Sequence, residues 1–219
     1  MTDTTISDPI DEQSRGLPGW TIPALLGALL VVMSVFAAYL WWESETPSDD
    51  SADAGFARDM TDHHAQAVEM ALIAWQRSED QAILQLAYDI ATSQQAQIGM
   101  MQGWLTEWDL ALARSGPPMA WMSDEMEEHD MGSIEQITDM PGMVSREQID
   151  ALRTLEPEEM DLEFLRLMIE HHEGGVEMAE AGVELVEEDV LQDLATTIVT
   201  GQTIEITTMQ TMLDEREGA

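Results

Sequence analysis

The sequence predicts an all-α protein, an N-terminal transmembrane helix followed by an antiparallel four-helix bundle made of two repeated helical hairpins. Three observations predict it. No charged side chain occurs from Gly16 to Trp42, apolar residues recur at three and four spacing through 56–76, 82–108, 160–186 and 190–213, and the second half of that pattern repeats the first at an offset of 108 residues.

Residues 1–19 form a tail ahead of the membrane segment, and residues 20–42, WTIPALLGALLVVMSVFAAYLWW, are the span itself. As a helix these residues rise roughly 34 Å, slightly more than the hydrocarbon core of a bilayer, so a modest tilt suffices. Trp20 stands at one end and Tyr39, Trp41 and Trp42 at the other, where amphipathic rings favour the headgroup level. A cleaved signal peptide has a shorter apolar region and a small-residue cleavage site, whereas this run is long and ends in bulky aromatics. Arg15 precedes the span, while Glu43, Glu45, Asp49 and Asp50 follow it. The positive-inside rule therefore puts the N-terminus in the cytoplasm and the remainder outside, in a single-pass cell-membrane protein.

A polar linker, 43–55, leads to the first hairpin at 56–108. RDMTDHHAQAVEMA at 58–71 is matched by RLMIEHHEGGVEMA at 166–179, and the register persists where 86–108 aligns with 194–216. Each half reads as two helices joined by a few residues, so the paired helices are antiparallel neighbours. Ser78 with Gln81 reads as a capping box, and Pro157 suits the first turn of the second hairpin at 157–216. The connector, 109–156, carries SGPP, a Met- and acid-rich run, and SREQIDALRTL, whose Ser145 and Gln148 form another capping box ahead of a short helix.

Composition narrows the function. There are 44 acidic and 8 basic residues, no lysine and a net charge of −36, which excludes a nucleic-acid partner. The same charge repels anionic lipid headgroups, so contact with the bilayer is assigned to residues 20–42 alone; a homo-oligomer is compatible with it. Cysteine is absent, so the available ligands are His, Met, Asp and Glu.

Four of the five histidines form two adjacent pairs at equivalent points of the repeat, His63–His64 and His171–His172. At about 100° per residue, Met60, His63, Ala67 and Met70 share one stripe, as do Met168, His171, Gly175 and Met178. Neighbouring histidines diverge by the same angle, so any site must form between helices. The second helix of each half offers Gln94 and Gln202, with Gln97 and Glu205 beside them. Met100, Met101, Met209 and Met212 read as core packing. Imidazole combined with thioether favours a soft or borderline ion, copper above all. Asp59, four residues before His63, is placed to orient that ring, with Gln94, Gln202 and Glu205 as further supporting groups. A second candidate lies in the connector, where Met122, Met126, His129 and Met131, with Met119, Met140 and Met143 nearby, sit among acids that offer little apolar surface.

The two M-x2-HH-x5-M-A motifs, Met60–Ala71 and Met168–Ala179, together with MPGMVSREQIDAL at 140–152 and FLRLMIEHH at 164–172, resemble a known family. The chain is similar over about 56–216 to domain of unknown function 305, bacterial extracytoplasmic ferritin-like four-helix bundles, some associated with copper binding and copper tolerance. The resemblance implies a ferritin-like bundle in which His63, His64, His171, His172, Met60 and Met168 are the motif positions. Where members often carry Asp before the second motif's Met and Glu in the first half's Gln block, this chain has Leu167 and Gln97, which argues against two identical sites.

The resulting expectation is a membrane-anchored, extracytoplasmic protein that binds copper through His and Met, for sequestration or delivery, without catalysis. Two alternatives belong to other classes. One is a structural or interaction module whose histidines sense pH. The other is a ferritin-like redox enzyme, disfavoured because a di-iron centre needs Glu-x-x-His, and Met60 and Met168 stand three residues before His63 and His171.

Overall fold

The computed structural model describes residues 21–42, 46–122 and 140–218. Its described residues form α1 (Thr21–Trp42), α2 (Ala52–Arg77), α3 (Gln81–Glu107), a 3-10 turn (Ala120–Met122), α4 (Arg146–Leu152), α5 (Pro157–Leu185) and α6 (Asp189–Glu217), with no strand among them. α1 belongs to one unit, Met1–Thr46, and the later helices to a second, Pro47–Ala219.

α1 has a mean hydropathy of 2.3 over Thr21–Tyr39 and buries none of that stretch, so by length and composition it can cross a membrane. Inside it the Ser34 hydroxyl donates to the Leu30 carbonyl at 2.8 Å, which satisfies a polar group that a bilayer could not. Trp20 lies outside the described residues.

In the second unit, α2 pairs with α3 and α5 with α6 along their lengths, and the hairpins meet chiefly where α2 crosses α5. The loops inside the hairpins, 78–80 and 186–188, are repeat equivalents. The Ser51 side chain accepts from the Ala54 amide at the start of α2, and Ser145 and Gln148 complete a reciprocal capping box on α4. Pro157 opens α5. The expected capping box of Ser78 with Gln81 does not form. Ser78 instead ends α2, its hydroxyl accepts from the Asp80 amide at 3.1 Å, and Asp80 caps α3 by accepting from Ala82 at 2.8 Å. A carboxylate one residue before the helix outcompetes the hydroxyl for the free amides.

Asp53, at the start of α2, accepts from the amides of Glu187 and Glu188 in the opposite hairpin's loop at 3.0 and 2.9 Å. Its repeat counterpart Asp161 is buried near Ser78 in the other loop, and burial raises its pKa. The start of each hairpin is thereby seated on the turn of the other.

Two apolar clusters fill the bundle on either side of the level where α2 and α5 carry their histidines. One joins Ala67–Ala74 of α2 with Ile83, Ile90, Phe164 and Leu213. The other joins Ala54–Met60 of α2 with Leu105, Val186, Leu191 and Ile198. Met101 and Met209 are core residues as expected and Met212 packs at the core's edge, but Met100 is 43% exposed on the outer face of α3. The 100° between consecutive helical residues separates Met100 from Met101.

Glycine placement provides a direct check on this packing. A Cβ at Gly182 would stand 2.6 Å from the fully buried Phe56 ring, whereas one at Gly103, on the exposed face of α3, meets nothing within 4 Å. Gly182→Ala should therefore lower stability by about 1–3 kcal/mol through overpacking, while Gly103→Ala should raise it by about 0.5–1 kcal/mol. Urea unfolding followed by circular dichroism reads both signs.

Candidate metal centre

The repeat places His63 and His64 in the middle of α2 and His171 and His172 in the middle of α5, where the two helices cross. All four imidazoles are fully buried. His63 and His171 face one another across the seam, ring centroids 3.8 Å apart and tilted by 34°. His64 and His172 turn outward from the seam, each toward the second helix of its own hairpin, as the divergence of adjacent helical residues requires.

The outward pair is held in the same way in both halves. His64 Nε2 lies 2.7 Å from Gln97 Oε1, and His172 Nε2 lies 2.8 Å from Glu205 Oε2. On the inner pair, His63 Nε2 lies 3.1 Å from the Pro141 carbonyl. Each partner atom is an acceptor, so each of these Nε2 atoms donates, and the neutral rings of His63 and His64 then carry their lone pair on Nδ1. The Nδ1 atoms of His63, His64 and His172 have no partner, and neither nitrogen of His171 has one. Gln94 and Gln202, both buried, also leave their side-chain amide nitrogen and oxygen unpaired. Gly175 makes room for this layer, since a Cβ there would collide with Gln202 Oε1 and stand 3.0 Å from His63 Cε1.

Burial keeps three of these rings, His63, His64 and His171, neutral. Desolvation pushes His63 down to about 4, against the opposing hydrogen bond to Pro141, and pushes His64 down to about 3. His171 lies well below the ordinary histidine value for the same reason, reinforced by His63 and His172.

Most of the sequence-derived candidates lie around this layer. Met60 and Met178 fall in one apolar cluster and Met70 and Met168 in the other, so thioethers bracket the histidines on both sides. Gln94, Gln202 and Glu205 line or support the layer. Asp59 does not orient His63. Its carboxylate accepts from the Met119 amide at 2.7 Å and Trp121 Nε1 at 3.0 Å and pairs with Arg114, tying the connector to α2. An unpaired backbone amide and an arginine are stronger claims on a buried carboxylate than a neutral ring. Met122 packs beside the second cluster, while Met126, His129 and Met131 lie outside the described residues. Among the described residues no three His, Asp or Glu side chains converge as a ready metal cage.

The sequence reading missed the turn at 140–144, which runs across the α2–α5 seam. Its Pro141 carbonyl is the partner of His63, and Gly142, at φ +71°, sits so close to α5 that a Cβ would approach the Glu170 and His171 carbonyls at 2.7 and 2.8 Å. Gln66 grips the Val144 backbone at both ends, donating to its carbonyl at 3.0 Å and accepting from its amide at 2.7 Å. Gly174, the repeat counterpart of Gln66, lets the Pro141 backbone lie directly against α5. A signal was present: Gln66 against Gly174 is one of the departures between the aligned blocks 58–71 and 166–179.

The fold and this layer define a class, a duplicated four-helix bundle around a buried histidine tier. The chain belongs to the family described as Domain of unknown function (DUF305), which it matches over residues 53–213. It resembles a DUF305 protein of Streptomyces coelicolor, described as secreted, at 45% identity and a TM-score of 0.70, over 78% of this chain and 96% of that one. A DUF305 fragment from Deinococcus radiodurans matches at 32% identity and a TM-score of 0.60, over 75% and 96%. CopM in its Cu(II)-bound form matches at 28% identity and a TM-score of 0.56, over 75% and 97%; CopM is also known in Cu(I)- and Ag-bound forms. No curated protein matches the chain.

The depressed histidines carry a pH signature. Their folded pKa values lie below the unfolded value of 6.5, so between pH 6.5 and about 4 the unfolded chain binds more protons and the metal-free bundle loses stability as pH falls. The limiting slope is about 1.4 kcal/mol per pH unit for each histidine. Surface carboxylates titrate in the same range, but they do so equally in a His63→Gln variant. The stability difference between wild type and that variant, from urea titrations at pH 7, 6, 5 and 4, should shift steadily in the variant's favour as pH falls.

Proposed function

We propose that this protein is a membrane-anchored, extracytoplasmic copper-binding protein that sequesters or delivers Cu(I) through the histidine tier and its flanking thioethers. The observation that carries this reading is the set of free lone pairs. Three imidazoles donate through Nε2 and leave Nδ1 unpartnered, and the side chains of His171 and two buried glutamines have no hydrogen-bond partner. Buried polar groups are nearly always hydrogen-bonded, so a cluster of orphans is the mark of a layer that awaits a ligand. Nitrogen donors flanked by Met60, Met178, Met70 and Met168 match a soft or borderline ion.

Charge favours the monovalent state. Among the described residues the carboxylate bonded to the tier's imidazoles is Glu205, and its repeat counterpart is the neutral Gln97. With His63, His64 and His171 neutral, a single positive charge matches that one carboxylate, whereas a divalent ion leaves a buried excess that burial penalises. The Cu(I)- and Ag-bound forms of CopM support the same choice by analogy, and its Cu(II)-bound form supports copper in either state. The connector residues Met122, Met126, His129 and Met131 stand as a second, weaker set of ligands, ordered by the ion they bind.

The anchor follows from α1, whose 22 residues are long and apolar enough to span a bilayer, with Arg15 on the N-terminal side. The full chain should stay in the membrane fraction through high-salt and carbonate washing. Release by salt alone would sink the anchor.

For the metal, the detergent-solubilised full chain should take Cu(I) from a competing chelator in preference to Zn(II) or Fe(II). Replacing His63, His64, His171 and His172 together with Ala should lower its affinity by at least 100-fold, a combined loss of about 2.8 kcal/mol or more. Wild-type affinity and stoichiometry in that variant would transfer the site to the connector.

A further inference from the structure

The tier described above is closed. All four imidazoles are fully buried, and a metal ion that binds there needs a way in. The helices of each hairpin pack on one another and the hairpins meet along the seam, and among the described residues the non-helical segment that touches the tier is the 140–144 turn. This turn holds to α2 through the Gln66–Val144 pair and to α5 only by close approach, with glycine at both contact points.

The turn also carries a graded pair of thioethers. Met143 is half-buried and lines a surface groove, Met140 is 7% exposed and belongs to the thioether-rich cluster that includes Met60 and Met178, and His63, bonded to the adjacent Pro141, is fully buried. The groove's carboxylates, Asp62 and Glu69, are already paired with Arg114 and Arg146, so its mouth is close to neutral and selects by softness rather than by charge. Attraction toward the mouth comes from the whole molecule, whose net charge is −36.

We propose that the Met140–Met143 turn is the port of the histidine tier: Met143 and then Met140 take up a soft monovalent ion, and the turn lifts from the seam to pass it to His63. The transfer is a ligand exchange, in which a metal–thioether bond breaks as a metal–imidazole bond forms at Nδ1. No electron moves, and no proton has to leave, because Nδ1 of His63 already carries the lone pair. Lifting the turn costs the His63–Pro141 hydrogen bond and part of the burial of Met140, while the Gln66–Val144 pair remains as the hinge. The proposal rests on the copper reading of the tier for its cargo, but the port itself is a property of the metal-free chain.

Two measurements on the full chain in detergent test it. The first uses no metal: diethyl pyrocarbonate modification of the histidines, read by peptide mass. In the wild type His63 and His171 should be protected. Gly174→Ala adds a Cβ that collides with the Pro141 backbone while favouring the α5 helix, and should raise their modification rate about tenfold or more. Should Gly174→Ala lose its helical circular dichroism, Gly142→Ala, which strains the φ of +71°, provides the same perturbation from the turn's side.

The second measurement is the rate of Cu(I) loading from a chromophoric chelator. Met140→Leu with Met143→Leu keeps the apolar volume and removes the thioethers, and should slow loading about tenfold, whereas Met212→Leu, at the far end of α6, should load at the wild-type rate. Gly174→Ala should load faster. Unchanged histidine reactivity in the glycine variants overturns the port, and wild-type loading in the double Met variant overturns the role of the two thioethers. A wild-type chain that takes up no Cu(I) at all would overturn the copper reading, and the modification experiment would still decide whether the turn controls access.

Discussion

Four imidazoles packed into the seam between α2 and α5 are the constraint around which the rest of this bundle is arranged. Removing them from water is costly, and the fold offsets only part of that cost. Gln97, Glu205 and the Pro141 carbonyl each take one Nε2 proton, and the remaining nitrogens stay unpaired. Neutrality is the second part of the solution, since desolvation drives His63, His64 and His171 far below the ordinary histidine range. The third part is cohesion elsewhere. Apolar clusters on both sides of the tier, with Phe164 at the centre of one and Phe56 of the other, supply the burial that lets a polar layer exist between them. Small residues complete it. Gly175 admits Gln202 beside His63, and Gly182 admits the Phe56 ring, so the helices approach closely enough for imidazoles to stack.

Duplication built the frame, and asymmetry set its chemistry. A two-fold repeat predicts two equivalent faces, but a single connector can lie across the seam only once. The first hairpin grips it: Asp59 holds Met119, Trp121 and Arg114, and Gln66 holds Val144. The second hairpin yields to it. At the positions equivalent to Asp59 and Gln66 stand Leu167, which packs in the core, and Gly174, which gives the turn space. The same division appears in the ring partners, where Gln97 is neutral and Glu205 is a carboxylate. One half has specialised in holding the connector and the other in holding charge.

The helices, their pairing and the central place of the histidines were legible in the sequence because each rests on a local or periodic signal. Spacing at three and four defines a helix face, a short loop forces antiparallel neighbours, and a repeat in register puts equivalent residues at equivalent depth. The divergence of His63 from His64 follows from helical geometry alone. What the sequence hid were competitions. Asp59 was within helical reach of His63, but a buried amide, an indole N–H and an arginine were nearer claimants from segments more than fifty residues away. Ser78 had the spacing of a capping box, but Asp80 stood closer to the free amides of α3. Neither outcome can be read from spacing alone, because each depends on which of several groups, distant in the first case and neighbouring in the second, reaches the same polar group.

The turn at 140–144 was hidden for a related reason. MPGM has no helical or strand period, and its meaning lies in the partner it covers. Its features become intelligible only against α5, where the positive φ of Gly142 and the missing side chain of Gly174 are two halves of one contact. Mutual dependence of this kind separates a packing turn from a cover over a polar layer. An apolar core needs no such cover, because its lining gains nothing from being reached, whereas orphaned nitrogens represent binding energy withheld until a ligand arrives. A buried polar group left without any partner costs about 1–3 kcal/mol, so a ligand that pairs the groups of the tier is favoured. Closure and unsatisfied donors therefore belong together, since a layer kept dry by a tightly seated turn is the one in which a bound ion gains the most from every bond it makes.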